Sequence, residues 1–104
     1  MIKSYYLCAV RDDQYNYFER PFAIDDLNAA KRGFSDALFD SDHPYSKNPR
    51  NYSLHHLHTL VIEDGVLLDE PMCERVPSVL FTAEDFDVLF QHHLESMSQG
   101  DLKL

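Results

Sequence analysis

A long alternating segment followed by a tight turn constrains the fold of this chain more than any other feature. Side chains of residues 52–63 alternate between two faces, as they do in a β-strand. The residues predicted to share one face of this strand are Tyr52, Leu54, His56, His58, Leu60 and Ile62. Asp64 and Gly65 come next, and this pair is typical of a two-residue type I′ turn, in which both residues have positive φ. We therefore predict a β-hairpin in which residues 66–69 return beside the long strand.

Three other stretches have the composition of strands. Residues 3–11 are apolar and aromatic, and residues 15–20 alternate after a turn-forming Asp-Asp-Gln sequence, so the two should form an antiparallel hairpin. Pro21 cannot donate to a strand ladder, and the second strand should therefore end before it. Residues 75–81 form a further extended run, in which Pro77 indicates an edge position.

Two segments have the periodicity of amphipathic helices. The Asp25-Asp26 pair can cap a helix over residues 26–39, which must end before Pro44. A second helix is predicted from Thr82, with Asp85 placed to complete a capping box. The apolar stripes comprise Leu27, Ala30, Phe34, Ala37 and Leu38 in the first helix and Phe86, Leu89, Phe90, His93, Leu94 and Met97 in the second.

These elements predict a small α+β domain of residues 1–98 with the order ββαββ(β)α. Its antiparallel sheet should consist of two hairpins, with the helices packed on one face. Residues 99–104 should form a frayed C-terminal tail. The exposed strand edges would permit a homodimer.

Length and composition exclude several classes of protein. A chain of 104 residues can bury a modest core as one domain. Its apolar runs fall short of the roughly 20 residues that a membrane-spanning helix needs, and its first residues lack the features of a signal peptide. Cys8 and Cys73 are too few and too far apart for a disulfide framework. We therefore expect a cytoplasmic protein with free thiols and no membrane contact.

The charge distribution restricts where a nucleic acid could bind. The formal net charge is −9. Residues 1–50 contain seven Lys/Arg and eight Asp/Glu, whereas residues 51–104 contain two and ten. Nucleic acids are polyanions whose phosphates are bound by Lys and Arg. Any nucleic-acid-binding surface should therefore use the N-terminal half.

A polar loop over residues 41–51 is the first candidate for such a surface. Tyr45 in this loop could stack a base in an exposed position while Lys47 and Arg50 meet phosphate. The alternative is a surface connection whose tyrosine packs on the core, with the cations as scattered, solvated charges. The full set of candidate nucleic-acid-binding residues is Arg11, Arg20, Lys31, Arg32, Tyr45, Lys47 and Arg50.

Tyrosines concentrate in the first predicted hairpin and offer a second stacking surface. They are Tyr5, Tyr6, Tyr15 and Tyr17. A sheet face with aromatic side chains near Arg11 or Arg20 is one way in which small domains hold single strands. Cross-strand packing is the alternative, because aromatic residues favour strands in any case.

Signals for metal binding and catalysis are sparse. His56 and His58 are candidate metal ligands, because two imidazoles on one strand face can reach the same ion. His92-His93 or Asp42-His43 would have to complete that site, and half-buried, hydrogen-bonded histidines are the alternative. The three glycines permit neither a nucleophile elbow nor a phosphate-binding loop. We therefore predict a protein that is not an enzyme and that has no cofactor and no metal.

The segment from residue 5 to residue 65 resembles one family. It combines Phe34-Ser35-Asp36-Ala37 in an apolar helix, a break at His43-Pro44 or Asn48-Pro49, and Asn51-Tyr52-Ser53-Leu54 at the start of a strand. This pattern is similar to that of the small non-structural protein of gokushovirus-type microviruses, which are single-stranded DNA phages. The resemblance implies a protein of the bacterial cytoplasm, outside the virion, that acts in phage DNA replication and is often labelled DNA-binding. The acidic, His-rich C-terminal half departs from the family pattern.

Two function classes follow. In the first, the protein binds single-stranded or replicating DNA and favours single-strand production. In the second, it is an acidic interaction protein, either a DNA mimic or an adaptor, that binds host replication or defence proteins without contacting DNA. Salt separates the two classes, because direct DNA binding weakens steeply as salt rises.

Overall fold

Six β-strands and two α-helices are formed by residues 1–68 and 78–102, which are the residues that the computed structural model describes. The strands are β1 (Ile2–Asp12), β2 (Tyr17–Phe18), β3 (Phe22–Ile24), β4 (Tyr52–Glu63), β5 (Val66–Leu68) and β6 (Ser78–Phe81). The helices are α1 (Leu27–Phe39) and α2 (Ala83–Leu102), and two 3₁₀ turns, Pro44–Lys47 and Pro49–Asn51, precede β4. The predicted small α+β domain is confirmed, and the element order matches approximately. The boundary between a domain of residues 1–98 and a tail of residues 99–104 stays a prediction.

A long pair of central strands joins the two predicted hairpins. β1 and β4 pair antiparallel over their whole length, from Ile2 opposite Glu63 to Asp12 opposite Tyr52. β2 and β3 pair with the other edge of β1, while β5 and β6 pair with the other edge of β4. All of these pairs are antiparallel, as predicted.

The hairpin between β4 and β5 has the predicted turn. Asp64 has φ of 50° and Gly65 has φ of 81°, so both central residues are left-handed. The predicted strand end at residues 69–71 lies outside the described residues, as do Cys73 and Pro77. The predicted run over residues 75–81 is confirmed in its described part, which forms β6.

The second strand of the first hairpin is shorter than the predicted 15–20, and a third strand follows it. The Asp12 carboxylate accepts hydrogen bonds from the backbone N–H groups of Gln14 and Tyr15 at 3.0 and 3.1 Å, which holds these residues in a turn outside the ladder. Pro21 interrupts the pairing because it has no N–H. The chain then pairs again with β1 as β3, which the sequence did not predict.

Both helices begin at their predicted caps. The Asp26 carboxylate accepts a hydrogen bond from the N–H of Asn28 at 2.9 Å, and α1 starts at Leu27. At α2, the Asp85 N–H donates to Thr82 Oγ1 at 3.3 Å and the Thr82 N–H donates to the Asp85 carboxylate at 2.9 Å. Neither helix, within the described ranges, has the length and apolarity that a membrane crossing requires.

The hydrophobic core lies between the helices and one face of the sheet, as predicted. Its buried members are Cys8, Val10, Ala30, Phe34, Leu38, Leu54, Phe81 and Phe86. Cys8 is a free thiol without exposed surface, and it packs in the core as a small hydrophobic residue. Burial raises the pKa of this thiol.

One extra residue in β4 changes the predicted strand faces. Leu7 lies opposite His58, and the next residue, Cys8, lies opposite His56, so Leu57 forms a β-bulge. Residues directly opposite each other in an antiparallel pair point to the same side of the sheet. His56 therefore shares the helix-covered face with Cys8, whereas His58 shares the other face with Leu7. The prediction that both histidines lie on one face was wrong.

Candidate nucleic-acid interface

The sheet face opposite the helices carries aromatic, basic and histidine side chains. Side chains alternate along β1 and β4, so the strand neighbours of the core residues Cys8 and Val10 point away from the helices. We name this surface the helix-free face. Its residues are Lys3, Tyr5, Leu7, Ala9, Arg11, Phe18, Ala23, Ser53, His55, His58, Leu60, Ile62, Leu67 and Val79.

Rings and cations lie along this face. Phe18 is 40% exposed, and its ring meets that of His55 edge-on, with 5.1 Å between the ring centroids. Lys3 Nζ lies 5.1 Å from the centroid of the Tyr5 ring. Arg11 lies near the other end of β1. The helix-free face thus has a cation towards each end and aromatic rings between them.

A chain of hydrogen bonds connects four residues at the Arg11 end. The Asp13 carboxylate accepts from an Arg11 guanidinium N–H at 2.6 Å and from the Ser53 hydroxyl at 3.0 Å. The Ser53 oxygen lies 2.8 Å from Nε2 of His55. Because the Ser53 hydroxyl has a single proton and donates it to Asp13, Nε2–H of His55 is the donor to Ser53. A neutral His55 therefore has its proton on Nε2 and a lone pair on Nδ1.

His55 is held in a buried site that favours this neutral form. The residue is 9% exposed, and Nδ1 has no hydrogen-bond partner among the described residues. Burial lowers the pKa of His55 below its ordinary value; the nearby Asp13 opposes this effect and Arg11 adds to it. His55 therefore takes up a proton more readily in the unfolded chain, where histidine has a pKa of about 6.5, than in the folded chain.

We expect the stability of the protein to fall as the pH drops below about 6.5, because protonation of His55 then favours the unfolded state. Urea unfolding at about pH 7.5 and about pH 5.5, on either side of the ordinary histidine pKa, measures this loss. His55→Gln should lose less stability over the interval, since its amide N–H can still donate to Ser53. His92→Gln changes an exposed histidine and should behave like the wild type. Equal losses for the wild type and His55→Gln would mean that protonation of His55 does not cause the loss of stability at acid pH.

Asp13, Ser53 and His55 have the residue types of a serine hydrolase triad, but their hydrogen bonds connect them in a different order. In such a triad the histidine lies between the other two and takes the proton of the serine. Here Ser53 lies in the middle, donates to Asp13 and is only 4% exposed. The three residues therefore form a structural network in which Ser53 and His55 are buried and Asp13 is half-buried. That the protein is not an enzyme stays a prediction.

Tyr45 does not have the exposed position that the loop composition predicts. Its hydroxyl donates to the Glu19 carboxylate. Its ring packs against those of His43 and Tyr52, with centroids 4.4 and 4.5 Å away. Burial, together with the hydrogen bond to Glu19, raises the pKa of the phenol. The predicted exposure of Tyr45 was wrong, and the alternative, a tyrosine packed on the core, is confirmed. A DNA-binding role of Tyr45 stays a prediction.

The predicted basic residues do not come together on one surface. Arg11 and Arg50 each form an ion pair with an aspartate, at 2.6 and 3.2 Å. Lys31 and Arg32 are exposed on α1, on the opposite side of the sheet from Arg11. The predicted cations that are exposed and have no ion pair within the described part of the chain are Arg20, Lys31, Arg32 and Lys47. Their DNA-binding role stays a prediction.

The two candidate metal ligands are separated by the sheet. His56 Nε2 lies 2.9 Å from Thr59 Oγ1, and its ring meets Tyr6 edge-on with centroids 5.4 Å apart. His58 points to the helix-free face on the other side. No group of three His, Cys, Asp or Glu side chains in the described residues is arranged to hold a metal ion.

Sequence reasoning did not identify Phe18, Ser53 or His55 as site residues. Their common position depends on the pairing of β1 with both β2 and β4. The alternation in residues 15–20 was the one local signal that assigned Phe18 to a strand face.

A family model described as Phage ORF5 protein matches residues 5–86, which is most of the chain. The matched segment contains every residue of the helix-free face except Lys3. No curated protein and no solved structure matches the chain.

Proposed function

Because this chain belongs to the Phage ORF5 protein family, we propose that it is a non-enzymatic phage accessory protein that acts in viral DNA replication. It binds single-stranded or replicating DNA and thereby favours single-strand production. The phage is a microvirus of the gokushovirus type, and the protein acts in the cytoplasm of the bacterial host, outside the virion. Family membership and the resemblance of residues 5–65 support this proposal.

The helix-free face is the observation that carries the DNA-binding part of the proposal. Exposed rings on a sheet face allow bases to stack, and cations beside them reach phosphates. Phe18 supplies an exposed ring, and the half-buried Tyr5 supplies a second ring. Lys3 and Arg11 lie about 26 Å apart along β1 at the usual rise of about 3.3 Å per residue. A short single-stranded segment fits between these two cations.

The small number of cations on this face limits the affinity and its salt dependence. Each phosphate contact to a single strand contributes about −0.7 to the slope of log K against log salt concentration. Lys3 alone gives a slope of about −0.7, and a slope of about −1.4 requires that Arg11 exchanges its ion pair with Asp13 for a phosphate contact. A steeper slope would indicate that the cations of α1 and the Lys47-Arg50 loop also contact DNA.

Phe18→Ala is expected to weaken oligonucleotide binding about tenfold, because stacking of one base on an aromatic ring contributes about 1–3 kcal/mol. Fluorescence anisotropy of labelled oligothymidylate at about 50 mM salt measures the affinity, since low salt strengthens phosphate attraction. Phe22→Ala is the matched control. Phe22 is 38% exposed, close to the 40% of Phe18, but it lies opposite Cys8 on the other face of the sheet. This variant should bind like the wild type.

Two results would count against DNA binding on the helix-free face. A wild-type protein that binds no oligonucleotide at about 50 mM salt does not act through direct DNA contact. Equal losses for Phe18→Ala and Phe22→Ala would indicate that binding, where it occurs, does not use the helix-free face.

The second candidate is an adaptor or DNA mimic that binds host replication or defence proteins without contacting DNA. Helix α2 favours it, because its sequence contains five acidic residues and no Lys or Arg. Protein binding through α2 in the absence of oligonucleotide binding would support this function in place of the first.

A further inference from the structure

Helix α2 leaves the protein core after its first turn. Phe86 is 8% exposed and belongs to the core. From Asp87 to Ser96, every residue of the helix is exposed. These ten residues therefore form a helical segment without a single buried side chain.

The exposed segment nevertheless carries an apolar stripe. Leu89, Phe90 and Leu94 follow Phe86 at offsets of three, four and eight, which places them on the same side of the helix. They are 38%, 42% and 43% exposed. The Phe90 ring stacks on Phe86 with 5.7 Å between centroids, so the stripe continues outward from the core. We name these residues, Leu89, Phe90 and Leu94, the α2 stripe.

Phe39 covers only one margin of this surface. Its ring stacks on Phe86 at 5.2 Å and meets the His93 ring at 5.6 Å. Helical segments shorter than about 12–15 residues are marginal in water on their own, and most helices gain their stability by packing an apolar face. The α2 stripe is therefore suited to contact with a partner.

The charge of α2 specifies what kind of partner this is. Its five acidic residues are Glu84, Asp85, Asp87, Glu95 and Asp101. Pairing with α2 of a second copy would bring five acidic residues against five others, and like charges across an interface are repulsive. DNA and anionic membranes are excluded by the same repulsion. A protein surface rich in Lys and Arg is complementary instead.

One ion pair within the protein already joins an arginine to an acidic residue of α2. Arg50 Nη2 lies 3.2 Å from the Asp87 carboxylate, beside the first turns of α2. Glu84 and Glu95 are exposed as well, so a partner can reach them. Amphipathic helices are commonly bound in this way, with their apolar face in a hydrophobic groove.

We propose that α2 docks its apolar stripe into a hydrophobic groove, rimmed by lysine and arginine, on another protein. The proposal specifies the partner surface of the adaptor function and does not depend on DNA binding by the helix-free face. Acidic side chains on the polar side of α2 pair with the rim, while Leu89, Phe90 and Leu94 enter the groove.

A synthetic amphipathic peptide of about 18 residues, with leucine at the a and d positions of a heptad and lysine elsewhere, presents an apolar stripe flanked by cations, which is the combination that the proposal requires of the partner. The full-length protein should bind the labelled Leu/Lys peptide, and binding should weaken as salt rises. A Leu/Glu peptide of the same pattern should not bind. Anisotropy titrations with both peptides test the charge requirement without any change to the protein.

Leu94→Ser should weaken binding of the Leu/Lys peptide at least tenfold, since full burial of a leucine contributes about 1.5–3 kcal/mol. Gln91→Ser is the matched control, because Gln91 is exposed on the polar side of α2. It should bind like the wild type. Leu94→Ser should still bind oligonucleotide, and Phe18→Ala should still bind the peptide, so the two sites can fail independently.

Three results would overturn the proposal. In the first, Leu94→Ser binds the Leu/Lys peptide as tightly as the wild type. In the second, the Leu/Glu peptide binds as well as the Leu/Lys peptide. In the third, analytical ultracentrifugation finds a dimer of the wild type that Leu94→Ser abolishes, which would assign the stripe to a second copy of the chain.

Discussion

Phe34→Ala is expected to lower the free energy of unfolding by about 3–5 kcal/mol, the usual cost of truncating a buried phenylalanine to alanine. Phe34 is 5% exposed and connects α1 to the sheet. Its ring meets that of Phe81 edge-on at 5.3 Å and lies 6.1 Å from that of Tyr45. Removal of the ring leaves a cavity under α1 and removes these contacts. Urea unfolding followed by far-UV circular dichroism measures the loss.

Phe22→Ala provides the control for this substitution. The same atoms are removed, but Phe22 is already 38% exposed, so a smaller loss of stability is expected. Similar losses for the two variants would contradict the placement of the core between α1 and the sheet. A far smaller effect of Phe34→Ala than about 3 kcal/mol would mean that the surrounding side chains collapse into the space.

Elements defined by residues close together in the chain could be predicted from the sequence. Helix α1 is specified by Asp26 at its N-cap and by apolar residues every three or four positions. The turn at Asp64 and Gly65 needs two residues with positive φ, and this pair tolerates that geometry. The Thr82–Asp85 cap of α2 is equally local. In each case the stabilising contact spans at most a few residues.

The pairing of β1 with β4 could not be predicted in this way. Their residues are separated by 40 or more positions, from Asp12 opposite Tyr52 to Ile2 opposite Glu63. Strand composition shows that each segment is extended but does not specify its neighbour. The bulge at Leu57 also has no local signal, because it is defined by the partner strand. One inserted residue moves the side chains of all later residues in the strand to the opposite face. His58 therefore lies on the other side of the sheet from His56.

The candidate site also depends on contacts between residues that are far apart in the sequence. Tyr45 lies in a polar loop, which favours an exposed side chain, yet a hydrogen bond to Glu19, 26 residues away, holds it against the core. The helix-free face instead brings Phe18 beside His55, although 37 positions separate them in sequence. Loop composition therefore gave the wrong exposure for Tyr45. The concentration of acidic residues in the C-terminal half, by contrast, can be read from the sequence alone, and five of these residues belong to α2.

Ser53→Ala is expected to lower the free energy of unfolding by about 2–3 kcal/mol, at the upper end of the range for loss of a buried hydrogen-bonding group. Ser53 is 4% exposed, and its hydroxyl donates to the Asp13 carboxylate while accepting from His55. Without it, Nε2–H of His55 loses its partner, and Nδ1 has none among the described residues. Both ring nitrogens are then unsatisfied in a buried position, which is the reason for the large expected effect.

Urea unfolding at about pH 7.5, where histidine with its ordinary pKa of about 6.5 is neutral, measures this loss without protonation of His55. Ser4→Ala is the control. Ser4 lies in β1, and its hydroxyl has no hydrogen bond to any described residue. It should change stability by less than about 0.5 kcal/mol. A Ser53→Ala variant as stable as Ser4→Ala would mean that Ser53 does not connect Asp13 to His55. Phe18, which rests on the His55 ring, would then lack the rigid support that base stacking on the helix-free face requires.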